Sequence, residues 1–169
     1  MSKKFFGKYR GSVLGNIDPE RLGRLQVNVP SVMGATRAIW AMPSFPCAGR
    51  LMGVWALPQT GAGVWIEFEE GDLTKPVWTG FWFASPADVP PLALAGDPGY
   101  PSIVLQTARQ NCIALSDASG PAGGIVIKTA SGAVLSINDS GITISNGKGA
   151  LIAMNGPVVS INNGAFAVA

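Results

Sequence analysis

The sequence predicts an all-β protein in which a small barrel precedes a repetitive array of short strands. Three observations lead to this fold class. Glycine (22 residues) and proline (13 residues) interrupt the chain so often that no helical period persists. Short runs of alternating apolar and polar residues recur throughout. Charged residues become rare after residue 101, where the alternation is most regular.

The first 83 residues contain five segments rich in β-branched and aromatic side chains, separated by glycine, proline and asparagine. Five such strands in a segment of this length predict a small closed or partly closed barrel. The predicted strands are residues 9–14, 25–29, 38–42, 64–68 and 77–83.

Residues 84–101 lack strand alternation and contain five prolines. Proline stiffens a connecting segment by holding it extended. We therefore expect a stiff linker between a barrel domain at 1–83 and a needle domain at 102–169.

Beyond the linker, apolar residues occur in pairs two positions apart, so both members of a pair lie on one face of a strand. From Ile125 onward the pairs recur every 7 or 10 residues with glycines between them, which is typical of a β-solenoid or an intertwined β-prism. The predicted core pairs are Ile125/Ile127, Leu135/Ile137, Ile142/Ile144, Ile152/Met154 and Val159/Ile161, followed by Phe166/Val168 at the tip.

The apolar content is too high for a soluble single chain. Hydrophobic residues make up 47% of the sequence and the mean hydropathy is +0.30, yet no run approaches the roughly 18 apolar residues of a membrane helix. The excess then belongs in a subunit interface. We predict that three chains wind around one axis, with the core pairs pointing inward and no lateral edge left open.

The composition argues against catalysis and metal binding. The chain has no histidine, which removes the commonest general base and metal ligand, and its net charge of +2 is too small to indicate nucleic-acid binding. Cys47 and Cys112 lack metal-ligand spacing and are expected to be buried thiols rather than a disulfide. No catalytic residue, cofactor or metal site is predicted, and no secretory signal is recognised at the N-terminus.

Three groups of residues allow a second interpretation. Acidic residues at 67, 69, 70 and 72, with Glu67 and Glu69 on one strand face, suit acid–base or metal chemistry, but a solvated face or a contact with a basic partner is favoured. The basic and aromatic residues at 3–10 suit single-strand binding, but a protein-docking tail is favoured. The five tryptophans suit a stacking surface, but barrel core and subunit contacts are favoured.

Spaced motifs occur at residues 11–13, 16–19, 23–30, 40–43, 57–61, 63–72 and 76–80. Together they resemble the oligonucleotide/oligosaccharide-binding (OB) fold domain of baseplate spike proteins from contractile phages, phage-tail-like particles and type VI secretion. The resemblance covers about residues 7–83, and the repeat from residue 102 resembles the triple-stranded β-helix needle of the same family. The signature residues are Gly11, Asp18, Pro19, Gly23, Arg24, Val27, Pro30, Trp40, Pro43, Pro58, Gly61, Glu67, Phe68, Gly71, Asp72, Pro76, Trp78 and Gly80.

The resemblance implies a homotrimeric, non-enzymatic central spike. Its barrels would attach to a tail-tube or hub protein, and its needle would pierce the target envelope, touching the membrane only transiently. It implies assembly in the bacterial cytoplasm and a location in the baseplate of a phage tail or tail-like particle, with no nucleic acid bound.

Two departures from the family's pattern qualify that expectation. No lysozyme domain stands between barrel and needle, and no His-x-His metal tip is present. We hypothesise that the apolar tip at Phe166, Val168 and Ala169 docks a separate cone-shaped protein of the proline-alanine-alanine-arginine class.

Two rival functions remain from other classes. An OB-fold module that binds single-stranded nucleic acid would show salt-dependent affinity for oligonucleotides. A secreted trimeric adhesin or carbohydrate binder would show glycan binding and would need an export route.

Overall fold

The computed structural model describes residues 3–95, 98–163 and 165–168, and it is all-β, as predicted. The chain divides into two units between Pro86 and Ala87. Across the described residues, no helix combines the length and the apolar character needed to cross a bilayer.

The first unit is a closed five-stranded barrel with the order β1-β2-β3-β7-β6. Its pairings are antiparallel except for the parallel contact between β3 and β7. The predicted barrel is confirmed, and each predicted strand boundary is correct within one residue. The barrel strands are β1 (Tyr9–Gly15), β2 (Leu25–Asn28), β3 (Ile39–Pro43), β6 (Gly63–Phe68) and β7 (Pro76–Trp82).

Alternation along these strands directs one apolar set into the barrel. The buried core consists of Val13, Leu25, Val27, Val29, Ala41, Val64, Ile66, Phe68 and Trp78. Gly11 lies beside this core, where an added Cβ would come within 2.9 Å of Ile66 and 3.0 Å of the Asn28 carbonyl oxygen. A larger residue at this position would therefore displace Ile66 or the backbone of β2.

Two elements outside the barrel strands were absent from the sequence-based expectation. A single helical turn, α1 (Pro30–Met33), follows β2, and the amide of buried Asn28 donates to the carbonyls of Gly34 and Arg37 at 2.9 and 2.7 Å. Between β3 and β6, two short strands, β4 (Ala48–Gly49) and β5 (Met52–Gly53), form a separate hairpin.

The second unit is one eight-stranded antiparallel sheet in which every strand pairs with its neighbours in sequence. Such a meander folds back at each turn, so it fits the prism alternative rather than the coils of a solenoid. Its strands are β8 (Ser102–Gln106), β9 (Cys112–Ser116), β10 (Gly124–Lys128), β11 (Val134–Asn138), β12 (Gly141–Ser145), β13 (Leu151–Asn155), β14 (Val158–Ile161) and β15 (Phe166–Val168).

The predicted linker contains two short 3-10 turns, Pro86–Asp88 and Pro91–Ala93. The second turn lies against β8. Leu92 and Ala95 line a cavity of about 50 Å³ together with Val104, Ala114 and Val126 of the sheet. Part of the proline-rich segment therefore packs on the sheet instead of spanning free solvent.

The two cysteines are both free thiols in different surroundings. Cys112 on β9 is buried, as expected, whereas Cys47 is exposed beside the β4–β5 hairpin, so the expectation of a buried thiol is wrong there. We predict that one thiol per folded chain reacts rapidly with an aromatic disulfide reagent and that the second reacts only after denaturation. Two rapid equivalents in the native protein would contradict the buried position of Cys112.

Candidate functional site

The ten predicted core residues of the sheet lie in two unbroken rows on one face, which we call the apolar face. Cross-strand partners share a face, so the register assigns each row directly. One row runs through Ile125, Ile137, Ile142, Met154 and Val159. The other runs through Ile127, Leu135, Ile144, Ile152 and Ile161.

The rows continue beyond the predicted residues in both directions. Toward β8 they include Leu115 and Ile103 in one row and Ile113 and Leu105 in the other. Toward β15, Val159 pairs with Val168 and Ile161 with Phe166, while the third predicted tip residue, Ala169, lies outside the described residues. The sheet is therefore apolar along one face from β8 to β15.

Most side chains of the apolar face are open to solvent in the single chain. Eight of the ten predicted core residues are at least 36% exposed, and only Leu135 and Ile142 are half-buried. A contiguous apolar surface of this extent is typical of a protein interface. The apolar face therefore requires a covering partner.

The opposite face of the sheet has no continuous apolar rows, and at β8–β10 it is partly covered by Leu92 and Ala95 of the chain's own proline-rich segment. The residues that lie between the two rows at the centre of strands β8 to β14 are Val104, Ala114, Val126, Ser136, Thr143, Ala153 and Ser160. The unbroken apolar rows lie on one face only, so that face is the candidate interface.

Glycines are required where strands meet at the sheet margin. Gly124 and Gly141 have φ values of +79° and +135°, which L-residues rarely adopt. An added Cβ would lie 2.0 Å from the Ile137 carbonyl oxygen at Gly124, and 2.0 Å from that of Met154 at Gly141. These glycines serve the close approach of neighbouring strands as well as the turns.

Polar side chains connect successive turns along the sheet margins. Asn111 accepts a hydrogen bond from the Ala130 amide at 3.0 Å, linking the turn after β8 to the turn after β10. Asn162 accepts from the Leu151 amide at 3.0 Å, and Asp139 accepts from the Gly120 amide at 2.8 Å. Each turn is thereby fixed to a neighbouring turn and not only to its own strands.

In the barrel, Asp18 and Arg24 form a closed ion pair. The Asp18 carboxylate is 3% exposed and accepts from Arg24 Nη2 and Nε at 2.8 and 3.0 Å. It also accepts from the backbone amides of Glu20, Leu22 and Arg24, so it orders the whole loop between β1 and β2. Arg24 contacts Glu20 and lies over the Trp40 ring at 5.3 Å.

The hydrogen bond from Arg24 holds the pKa of Asp18 far below its usual value, and the three loop amides lower it further. A carboxyl with a depressed folded pKa contributes stability above its unfolded pKa of about 3.9, and this contribution is lost as pH falls toward the folded pKa. We therefore expect barrel stability to fall below about pH 4, and to fall less in Asp18→Asn.

Tryptophan fluorescence in urea at pH 7 and pH 3 would measure this change, because all five tryptophans lie in the barrel unit. At pH 7 Asp18→Asn should unfold at lower urea than the native chain. Identical pH slopes for the two proteins would contradict a special role for Asp18.

The acidic residues at 67–72 do not form a carboxylate pair. Glu67 pairs with Lys8, which also donates to Thr79 Oγ1 at 3.1 Å. Strand β6 ends at Phe68 and Glu69 begins a turn, so the expectation that Glu67 and Glu69 share a strand face is wrong. Asp72 accepts from the amide and hydroxyl of Thr74, which lowers its pKa. Within the described residues, no three His, Cys, Asp or Glu side chains gather into a potential metal site.

The tryptophans are distributed over separate contacts and not in one stacking row. Trp78 is buried and donates to the Gly23 carbonyl at 3.1 Å. Arg10 lies over both Trp65 and Trp82, at 5.7 and 5.1 Å. With Trp40 under Arg24, three of the five indoles already contact a cationic group of the same chain.

The N-terminal segment packs largely on the barrel itself. Phe5 and Tyr9 both contact the Phe68 ring edge-to-face, and the Phe5 amide donates to the Gly71 carbonyl at 3.0 Å. Lys4 donates to the Glu70 carbonyl at 2.9 Å, while Phe6 is 71% exposed. Of the two phenylalanines that could anchor a docking tail, only Phe6 is available to a partner.

The remaining signature positions hold loops of the barrel. The carbonyl of Pro58 accepts from the side-chain amide of Asn16 at 2.9 Å. The backbone amide of Gly61 donates to the Val13 carbonyl at 2.8 Å. Gly61 and Gly71 adopt positive φ, as does Gly23 beside Phe45. The sequence did not indicate the β4–β5 hairpin, whose only local signal is a pair of glycines at positions 49 and 53.

Comparison with family profiles decides the relationship. Residues 9–83 match the type VI secretion system/phage-baseplate injector OB domain, and residues 102–167 match the phage baseplate V C-terminal trimerisation domain. The chain belongs to the phage baseplate V spike family. No curated protein sequence matches it significantly.

Membership in the baseplate V family agrees with both described units. The OB match spans the five barrel strands, and the trimerisation match begins at β8 and includes every core pair. Both matched domains are structural baseplate modules, so the chain has a structural role in a baseplate. The trimerisation domain supports a homotrimer.

Proposed function

We propose that the chain is the central spike of a contractile injection system, in which three copies pack their apolar faces around a common axis. The observation that carries this proposal is the pair of unbroken apolar rows from β8 to β15. Three sheets facing one axis would bury all six rows and leave the opposite faces outward.

The gain from this assembly is large relative to ordinary folding stability. A side chain such as Ile137 that goes from about two-fifths exposed to buried gains on the order of 1 kcal/mol. Ten such residues give about 10 kcal/mol per chain, comparable to the whole stability of a small domain. A trimer of these sheets is therefore expected to dissociate only with unfolding.

The proposed mechanical role follows from how the sheet is bonded. Every strand is hydrogen-bonded to its neighbours along the chain, and side chains at positions 111, 139 and 162 tie successive turns together. A narrow column with few loose loops suits transmission of an axial load. We propose that contraction of other proteins drives this column through the target envelope.

The OB barrel is proposed to join the spike to a tail-tube or hub protein. Single-strand binding by the same fold would need aromatic faces open to bases. Trp40, Trp65 and Trp82 instead contact Arg24 or Arg10 of the same chain. The structural role is accordingly favoured, and salt-dependent oligonucleotide binding is not expected.

The last strand of the sheet, β15, is an edge strand that pairs only with β14 in the described part of the chain. An edge strand offers backbone groups for strand addition by another protein. We propose this edge as the docking place of a separate tip protein of the proline-alanine-alanine-arginine class.

Imaging of native particles tests the proposed role. A tag fused after β15 and detected by electron microscopy should label the end of the tail or tail-like particle, on its axis. Particles carrying a trimer-deficient variant should assemble without axial density and fail to inject. Label along the sheath or tube wall would overturn the proposal.

A further inference from the structure

The β4–β5 hairpin presents an apolar side chain where folding alone does not call for one. Leu51 lies in the two-residue turn of the hairpin, is 99% exposed and has a φ of +59°. Leucine at positive φ is strained, and glycine or asparagine would fit the turn better. Met52 and Trp55 extend the exposed apolar surface at 63% and 60%. An exposed, strained leucine points to a contact made in the assembly.

The same barrel carries a recessed apolar groove. It has a volume of about 160 Å³ and is lined by Phe45, Pro46, Val54, Ala56, Trp78 and Phe81. The Trp78 ring contacts Phe45 edge-to-face at 5.3 Å and Phe81 at 5.6 Å. A protein cavity of about 150 Å³ accommodates benzene, so this groove is large enough for one aliphatic side chain.

A three-fold ring requires such a pair of different surfaces. In cyclic trimers each chain offers one patch to the next chain and a different patch to the previous one. Leu51 is 99% exposed and therefore does not occupy the groove of its own chain. The trimerisation domain holds three barrels on short tethers, which raises their effective concentration to roughly the millimolar range.

We propose that Leu51 of one chain inserts into the Phe45–Trp78–Phe81 groove of the next chain, closing a ring of three barrels. This contact goes beyond the proposed function of the sheet and rests only on the trimeric state. It assigns the hairpin between β3 and β6 to self-assembly and not to an outside partner.

Cysteine pairing in the full chain tests the contact. In a Cys47→Ser background, Leu51→Cys is combined with Ser44→Cys at the rim of the groove. After oxidation and boiling without reductant, a denaturing gel should show covalent dimers and trimers that return to single chains with reductant. Bonds within one chain leave its mass unchanged, so only contacts between chains are scored.

The matched control pairs Leu51→Cys with Thr36→Cys, an exposed position that does not line the groove. It should give no ladder, and equal ladders for both pairs would reveal random collisions and overturn the proposal. Light scattering must show three times 17.5 kDa in every sample. A trimer that forms no covalent ladder with the 51/44 pair would also overturn the proposal, and would leave the groove to another protein.

Leu51→Gly supplies a second test that does not depend on cysteine chemistry. Glycine relieves the strained φ, so the barrel should fold at least as well while the contact is lost. Amide exchange at residues 44, 45 and 79–81 should become several-fold faster, with exchange in the sheet unchanged. Unchanged exchange around the groove would contradict the proposed insertion.

Discussion

Replacing Ile144 by Asp is expected to abolish the trimer. Ile144 lies in the middle of the sheet, between Leu135 and Ile152 in its row, and is 45% exposed in the single chain. In the proposed trimer the substitution would place three carboxylates around the axis, each costing several kcal/mol when buried without a partner. With the lost apolar burial, the penalty is on the order of 10 kcal/mol or more per trimer.

The measurement is solution mass by light scattering, expected to fall from three times 17.5 kDa to the mass of one chain or of aggregate. On an unboiled denaturing gel the native protein should run as a trimer and Ile144→Asp as a single chain. Ile137→Asp should behave in the same way, because Ile137 occupies the neighbouring row.

The chain offers a closely matched control. Thr143→Asp introduces the same charge one residue earlier in β12, on the opposite face of the sheet. That variant should remain trimeric, and Ile144→Val should lose only about 0.5–1.5 kcal/mol per chain. If Ile144→Asp and Thr143→Asp both stay trimeric, or if both dissociate, the apolar face is not the trimer interface.

The apolar face was predictable because the sheet repeats a single local rule. A spacing of two residues places both members of each pair on one face whatever the strands pair with. The sequence also held a clue to the meander. Ile137 and Ile142 are separated by only four residues, too few for a parallel crossover, so β11 and β12 must form a hairpin.

The hairpin and groove of the barrel were not predictable in the same way. Strands of two residues, such as β4 and β5, are too short to show any period. The expectation that Glu67 and Glu69 share a strand face was wrong although the end of β6 at Phe68 was predicted, because Glu70 at a φ of +52° turns the chain just beyond that end. The resemblance marked Asp18 and Arg24 as signature residues, but the sequence did not predict their ion pair or the loop amides that donate to Asp18.

Replacing Gly141 by Ala is expected to disrupt the sheet from its margin. Gly141 begins β12 at a φ of +135°, and an alanine Cβ would lie 2.0 Å from the Met154 carbonyl oxygen and 2.7 Å from the side-chain amide of Asn155. The Met154 carbonyl belongs to β13 and cannot retreat without opening the β12–β13 ladder. Backbone strain alone costs about 1–3 kcal/mol, and the trimer contains three such sites.

Gly149→Ala separates the two contributions to this cost. Gly149 also has a positive φ, +101°, but an added Cβ would meet nothing within 4 Å. It should therefore lose about 1 kcal/mol from strain, whereas Gly141→Ala adds a collision with backbone atoms that a flexible side chain cannot relieve. Heating the trimer before gel electrophoresis should show dissociation at least about 10 °C lower for Gly141→Ala and a smaller shift for Gly149→Ala. Equal shifts in dissociation temperature for the two variants would contradict this explanation. They would mean that the 2.0 Å approach of the Met154 carbonyl oxygen is not what requires glycine at position 141.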